Sequence, residues 1–227
     1  MGFDESYYRG NGQNSDRPAL WFYERLARSY FQPGRVLDFG SGTGYFLRRL
    51  NRHFAVDGYE ISAHARDVSH SMLPELDIYS DLEQINSGVY TGITALHVFE
   101  HISDTDLARV LSALRKSLLI EGRILCVMPV LNGRGHVLKG EKWAGFRDNT
   151  HINLKTTQEW RSFFSRAGFS IIATGADGLW DFPYSNMPLP LDFLRFGWST
   201  SLQFLLGRLV LPVDSGESVI MVLQPGS

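Results

Sequence analysis

Cysteine is almost absent from this chain of 227 residues: Cys126 is the only one, set inside the apolar run ILCVMPV. A lone cysteine cannot staple a chain to itself, so a disulfide scaffold is excluded and a reduced, cytoplasmic compartment is expected. Charge of one sign is lacking too. The chain carries 22 Lys and Arg against 24 Asp and Glu, a formal net charge of −2, with no basic run. Nucleic acid is therefore not an expected partner. The N-terminal stretch MGFDESYYRG contains no apolar signal segment. Gly2 and Ser6 match the myristoylation pattern, but so short a match is read as chance, and Asp4 and Glu5 would be repelled by an anionic membrane. Long apolar runs are missing as well. Residues 191–212 come nearest, and Arg195, Gly197 and Arg208 interrupt them, so no transmembrane segment is expected.

What the chain does have is a 44% hydrophobic content, enough for one α/β domain with a full core. Apolar runs with strand character alternate with helical patterns. A helix is expected over residues 17–31, with Asp16 as its cap and Pro18 in its first turn. Strands are expected at RVLDFG, AVDGYE, LDIYS, TGITALHV, GRILCVMPV, FSIIATGA and SVIMVLQP. Between them lie helices at GYFLRRLNRHF, at SAHARDVSHSM capped by Ser62, at DLARVLSALRKSLL capped by Asp104, and from Thr157 to the stop at Gly168. Leu107, Val110, Leu111, Leu114 and Leu118 recur at helical spacing. This alternation predicts a doubly wound, mostly parallel sheet of seven strands. Two segments break it: residues 131–149, rich in glycine, and residues 177–216, an insertion before the last strand. Long insertions of this kind usually form lids or binding loops.

The stretch VLDFGSGTGYF runs a strand into Gly40, Gly42 and Gly44. A parallel sheet binds ligands at the carboxyl ends of its strands, and glycines there let the backbone approach a ligand closely. The dinucleotide fingerprint G-x-G-x-x-G places its third glycine one residue later, and here Asp38 precedes the first glycine by two positions. A nicotinamide dehydrogenase is disfavoured by that spacing.

VLDFGSGTGYFLRRL resembles motif I of the class I S-adenosylmethionine-dependent methyltransferases. VDGYEIS is similar to their second motif, in which a strand ends in an acidic residue. TALHVFEHISD resembles the fourth-strand motif of the ubiquinone-type and natural-product-tailoring subgroup, with its E-H pair, and GRILCVMP and THINLKTTQEWRSFFSRAGF resemble the segments that follow. The likeness covers roughly residues 34–176. It implies a Rossmann-like domain over residues 1–227, with residues 1–33 as an N-terminal lid and helix and residues 177–216 covering the acceptor side. It also implies S-adenosylmethionine as cofactor.

Glu60, some twenty residues beyond Gly40, stands where a carboxylate can accept both ribose hydroxyls. Asp38 and Gly40 face the methionine end, where an ammonium needs acceptors. The resemblance implies an adenine contact at Asp81, with Leu82 on the ring, and places His97 beside the sulfonium. Ser41, Gly42, Gly44, Tyr45, Phe46, Ile61 and Tyr8 complete the expected cofactor set. Methyl transfer to oxygen needs alignment and, for a hydroxyl, a general base. The candidates are Glu100, His101 and His151, with His151 favoured because it follows the fifth strand and an imidazole titrates near neutrality. In quinone-type relatives the E-H pair is linked with a divalent metal. Glu100 and His101 alone are too few ligands to claim one, and no metal is expected. Tyr7, Trp143, Phe146, Trp180, Phe182 and Tyr184 are the expected acceptor-pocket aromatics. The acceptor is expected to be a small molecule (a metabolite, sugar or natural-product intermediate) methylated on oxygen. N-methylation of a small amine and a non-catalytic S-adenosylmethionine-binding module are the alternatives. Residues 191–212 read as an ordinary capping helix. A substrate cover, a dimer contact and a membrane-surface helix stay open, and peripheral membrane contact is not expected. The protein is expected to be a monomer or homodimer.

Overall fold

The structure, a computed structural model, describes residues 3–10 and 15–226, so Gly2 and part of the expected N-terminal lid lie outside the described residues. The elements follow in the order α1 (Glu5–Gly10), α2 (Pro18–Tyr30), β1 (Arg35–Phe39), α3 (Tyr45–Leu50), β2 (Ala55–Tyr59), α4 (Ala63–Met72), β3 (Ile78–Tyr79) and β4 (Tyr90–Leu96). Then come α5 (Asp104–Ser117), β5 (Leu118–Pro129), α6 (Arg134–Lys139), α7 (Ala144–Arg147), α8 (Thr157–Arg166), β6 (Phe169–Ala176), α9 (Leu189–Phe196), α10 (Trp198–Leu206) and β7 (Ser218–Pro225). The seven strands form one sheet in the order β3-β2-β1-β4-β5-β7-β6. β1 pairs in parallel with β2 and β4, and β2 with β3, whereas β6 and β7 are antiparallel. Val36, Leu37 and Phe39 of β1 are all buried, as a strand covered on both faces requires.

By compactness the chain divides into two units. One comprises Met1–Leu96 with Ala108–Leu125, the other His97–Leu107 with Cys126–Ser227. The first holds β1 to β4, the glycine turn, and the salt-bridged packing of α2 on α3. The second holds β6, β7 and both irregular segments.

Most expected elements form where the periodicity puts them, and the differences concern caps and boundaries. Arg17, not Asp16, caps α2, and without a side-chain bond. Asp16 is taken instead by a two-point pair with Arg49 on α3, Oδ1 to Nε at 2.7 Å and Oδ2 to Nη2 at 2.9 Å. α3 is a short helix that stops at Leu50, beyond which Phe54 N–H returns to the Leu50 carbonyl. Asp104 lies inside α5, and the capping oxygen is Ser103 Oγ, which accepts from Asp106 N–H at 3.2 Å. Asp104 is held by Lys155 at 2.7 Å. Leu118, expected as the last residue of the helical stripe, is the first of β5. Ser62 caps α4 as expected, and Thr156 with Glu159 forms a reciprocal capping box ahead of Thr157. Residues 191–212, expected as one capping helix, instead hold most of α9 and all of α10, with Gly197 between them and no helix after Leu206.

Candidate active site

The glycine turn is built by its backbone. Gly40, Gly42 and Gly44 all have positive φ, at 76°, 53° and 85°. Gly40 N–H and Ser41 N–H both donate to the Tyr59 carbonyl at the end of β2, at 2.8 and 3.0 Å. Gly44 has a second reason to be glycine: a Cβ there would lie 2.2 Å from Ser69 Oγ on α4.

Two carboxylates frame this turn. Asp38 is buried at the end of β1, and Thr94 Oγ1 donates to its Oδ1 at 2.6 Å. Among the described residues its Oδ2 has no hydrogen-bond partner, and neither has the buried hydroxyl of Ser41. Burial pushes the Asp38 carboxyl up to about 7, against the Thr94 bond and with help from Glu60. Glu60 follows β2 and accepts two backbone donors, Gly42 N–H on Oε2 and Ser62 N–H on Oε1, both at 2.8 Å. Burial raises its pKa, while those two bonds and one from Tyr8 oppose the rise. Tyr8 on α1 is buried and its ring lies 6.2 Å from that of His64 on α4, so the N-terminal helix sits against the residues that follow Glu60. Phe46 is buried, Ile61 is exposed, and Tyr45 carries the Arg48 guanidinium over its ring at 5.3 Å. Asp81 caps its own short turn by accepting from Glu83 N–H at 3.0 Å, with Leu82 as the next residue.

These groups fit S-adenosylmethionine. A buried carboxylate oxygen without a donor suits an ammonium, a carboxylate keeps acceptor capacity beyond two bonds, and an exposed Ile61 offers an apolar face.

The second unit gathers the titratable groups. Glu100 is fully buried, and its Oε1 lies 3.4 Å from His97 Nδ1. His97 has φ 56°, a left-handed conformation rare outside glycine. Burial raises the Glu100 carboxyl, but His97, His101 and His151 together outweigh it and hold it below the ordinary range. The rings of His101 and His151 stand 4.7 Å apart. Ligand atoms of Glu100, His101 and His151 all lie within 4.8 Å of one another. Two ligands were visible to the spacing of the motif; folding supplies the third. His151 Nδ1 sits 2.7 Å from the Gly145 carbonyl, and His101 Nδ1 sits 3.1 Å from the Thr150 carbonyl. A carbonyl only accepts, and the Thr150 hydroxyl, 2.9 Å from His101 Nδ1, gives its own proton to Asp148, so Nδ1 is the donor in both rings; His151 Nε2 lies 3.8 Å from Asp148 Oδ2. Burial lowers the pKa of His101, and Glu100 only partly offsets it.

The expected acceptor aromatics divide by burial. Phe146 and Trp180 are exposed and Tyr7 is partly so, whereas Trp143 and Tyr184 are buried. Trp143 stacks on His136, with 5.3 Å between rings, and its indole N–H has no partner. Tyr184 donates its hydroxyl to Glu217, which also accepts Trp180 N–H and Asp181 N–H at 2.9 and 2.8 Å. Spacing did not reveal Thr94, Thr150 or Glu217. Each acts through contacts distant in sequence, Thr94 on Asp38, Thr150 on His101 and Glu217 on Trp180, Asp181 and Tyr184, which leave no local pattern.

A sheet in this order, with the last strand inserted antiparallel beside β6 and an acidic glycine turn after β1, defines the Rossmann-like methyltransferase fold. The methyltransferase domain family matches residues 13–174, and the chain belongs to that family: it is an S-adenosylmethionine-dependent methyltransferase. The fold is similar to that of a SAM-dependent methyltransferase from Archaeoglobus fulgidus, with 15% identity, coverage of 97% of this chain and 100% of that one, and a TM-score of 0.68. It is also similar to an S-adenosylmethionine-dependent methyltransferase from Clostridium acetobutylicum, with 12% identity, coverage of 99% and 98%, and a TM-score of 0.66. Among curated proteins none matches the sequence.

Proposed function

We propose that the protein methylates a hydroxyl oxygen of a small-molecule acceptor, with His151 as general base and His101 as the neighbouring imidazole. The observation that carries this reading is the Glu100–His101–His151 cluster, in which one ligand atom of each residue lies within 4.8 Å of the others and His151 Nδ1 is directed at the Gly145 carbonyl. When bound, S-adenosylmethionine supplies an electrophilic methyl on a sulfonium. Asp38 Oδ2 would receive the ammonium, Glu60 the ribose hydroxyls, Asp81 the adenine amine and Leu82 the ring. The backbone of Gly40, Ser41, Gly42 and Gly44 would line the cofactor, with Tyr8, Tyr45, Phe46, Ile61 and His97 around it. His151 Nε2 would take the proton of the acceptor hydroxyl, whose oxygen would receive the methyl group as the methyl–sulfur bond breaks and the cofactor leaves as its neutral thioether, S-adenosylhomocysteine. Tyr7, Phe146 and Trp180 would contact the acceptor, while Trp143 and Tyr184 hold their segments in place. The single buried Cys126 supports a reducing, cytoplasmic setting.

General bases contribute about 10²–10⁴-fold, so His151→Ala lowers kcat by that order while calorimetric affinity for S-adenosylhomocysteine stays within about twofold. Turnover near wild type in a folded variant would refute the base. The same three groups favour one second reading: a divalent cation held by Glu100, His101 and His151, which would polarise the acceptor oxygen. Chelation separates the two. Activity lost with a chelator and restored by added Mg²⁺ or Zn²⁺ selects the metal, and unchanged activity selects the base.

A further inference from the structure

Helix α10 is turned inside out. Its inward residues Thr200 and Gln203 are polar and buried. Thr200 Oγ1 accepts from Leu179 N–H at 3.0 Å, and Gln203 donates to the Ala176 carbonyl while accepting from Val210 N–H and Leu211 N–H, each at 2.9 Å. Its outward residues are Trp198, Leu202, Leu205 and Leu206, at successive steps of four, three and one, which is one helical face. All are exposed, Leu205 by 74% and Trp198 by 57%. Burial in the core therefore accounts for the polar side and not for the apolar one, the reverse of an ordinary surface helix. α9 extends the face with Leu191 and Leu194, both more than half exposed. Phe182, Leu189, Pro190, Phe193 and Leu194 line an open groove of about 590 Å³ beside it.

The exposed charges on these two helices have one sign, and Asp181, beside Phe182 of the groove, is already paired with Lys139 and Arg147 at 2.8 Å each. Across residues 189–210 the exposed ionic groups are Arg195 and Arg208. The one acid, Asp192, is buried, with its oxygens taken by Tyr184 N–H at 2.7 Å and Ser185 Oγ at 2.5 Å. Arg134, also exposed, holds its guanidinium 5.5 Å from the Phe196 ring of α9. A chain of net charge −2 thus sets cations beside this exposed apolar face. A second copy of the same face would bring no acidic group to these arginines, whereas lipid phosphates pair with them. Exposed tryptophan beside leucine and arginine is also the composition of helices that lie in a membrane interface.

We propose that α9 and α10 dock this enzyme on an anionic lipid surface. Trp198 and the leucines enter the acyl boundary, and Arg195, Arg208 and Arg134 meet phosphates. This holds whichever acceptor is methylated. The test sediments the full chain with vesicles of phosphatidylglycerol and phosphatidylcholine, and with phosphatidylcholine alone. Binding is expected to the mixed vesicles at low salt and to weaken at high salt, with a blue shift of tryptophan fluorescence. Leu202→Ser with Leu205→Ser lowers partition by about tenfold or more per leucine. Arg195→Glu with Arg208→Glu lowers it on the mixed vesicles by at least about fivefold per cation. Both pairs sit on exposed positions, and their melting temperatures should match wild type. No sedimentation with either vesicle, or undiminished binding of both variants, would overturn the proposal. A dimer in ultracentrifugation that the leucine variant abolishes would also overturn it, by giving the face to a second copy.

Discussion

Asp38 and Glu60 show how two carboxylates of one site come to differ. Asp38 is buried with one oxygen satisfied by Thr94 and the other bare, while Glu60 spends an oxygen on each of two backbone donors. Glu60 therefore also braces the glycine turn through Gly42. Replacing it removes charge-assisted bonds worth on the order of 1.5–3 kcal/mol, and cofactor affinity should fall by roughly ten- to a hundredfold in Glu60→Ala. Calorimetry with S-adenosylhomocysteine checks this, and Glu60→Gln should recover part of the loss, because an amide still accepts on one oxygen. Spacing from Gly40 picked out Glu60, because strand and helix lengths in such a unit are nearly invariant. The environment of Asp38 was not legible, because Thr94 reaches it across two paired strands.

Among the elements, the strands were the most legible, since continuous apolar runs ending in glycine or acid have few other solutions. Helix caps were less so. Asp16 has capping chemistry, but two arginines on α3 compete for it and win. The insertion was least legible, because apolar spacing reports a helix without reporting which side is covered. In α10 the buried side is held by Gln203, and Gln203→Leu leaves two N–H groups and a carbonyl without partners. At about 1–3 kcal/mol for each of the three unmet groups and roughly 2–4 °C per kcal/mol, the melting temperature should drop by at least about 6 °C. A variant at the neighbouring Leu205 should not move it. Scanning calorimetry of both distinguishes a polar anchor from an apolar one.

For the molecule as a whole, two buried carboxyls contribute to the pH response near neutrality. Burial pushes Asp38 and Asp177 each up to about 7, and Glu217 adds to the rise at Asp177. A carboxyl raised in the folded state adds stability that is full below its unfolded pKa of about 4 and is lost as pH rises through its folded value. Through these two groups the ligand-free protein should melt progressively lower as pH rises from about 4 to about 7, and the loss should level off above that. S-adenosylhomocysteine carries an ammonium that favours ionised Asp38, so its stabilisation, several degrees at saturation, should grow over the same window. Thermal scans with and without S-adenosylhomocysteine measure both trends. Asp38→Asn should flatten the second, and NAD should produce no shift. Among the described residues no helix is long and apolar enough to cross a membrane, so lipid contact through α9 and α10 would be at the surface.

The sequence by itself determined the alternation of strands and helices, the acidic glycine turn and the place of Glu60. Each depends on local spacing, and backbone geometry converts spacing directly into position. Tertiary structure alone decided that His151 joins Glu100 and His101, that Asp38 keeps an unpartnered oxygen, and that α10 faces its leucines outward. Those facts depend on which residues far apart in the chain are brought within a few ångströms, and on which surfaces are left uncovered when the core is full. No local pattern encodes either.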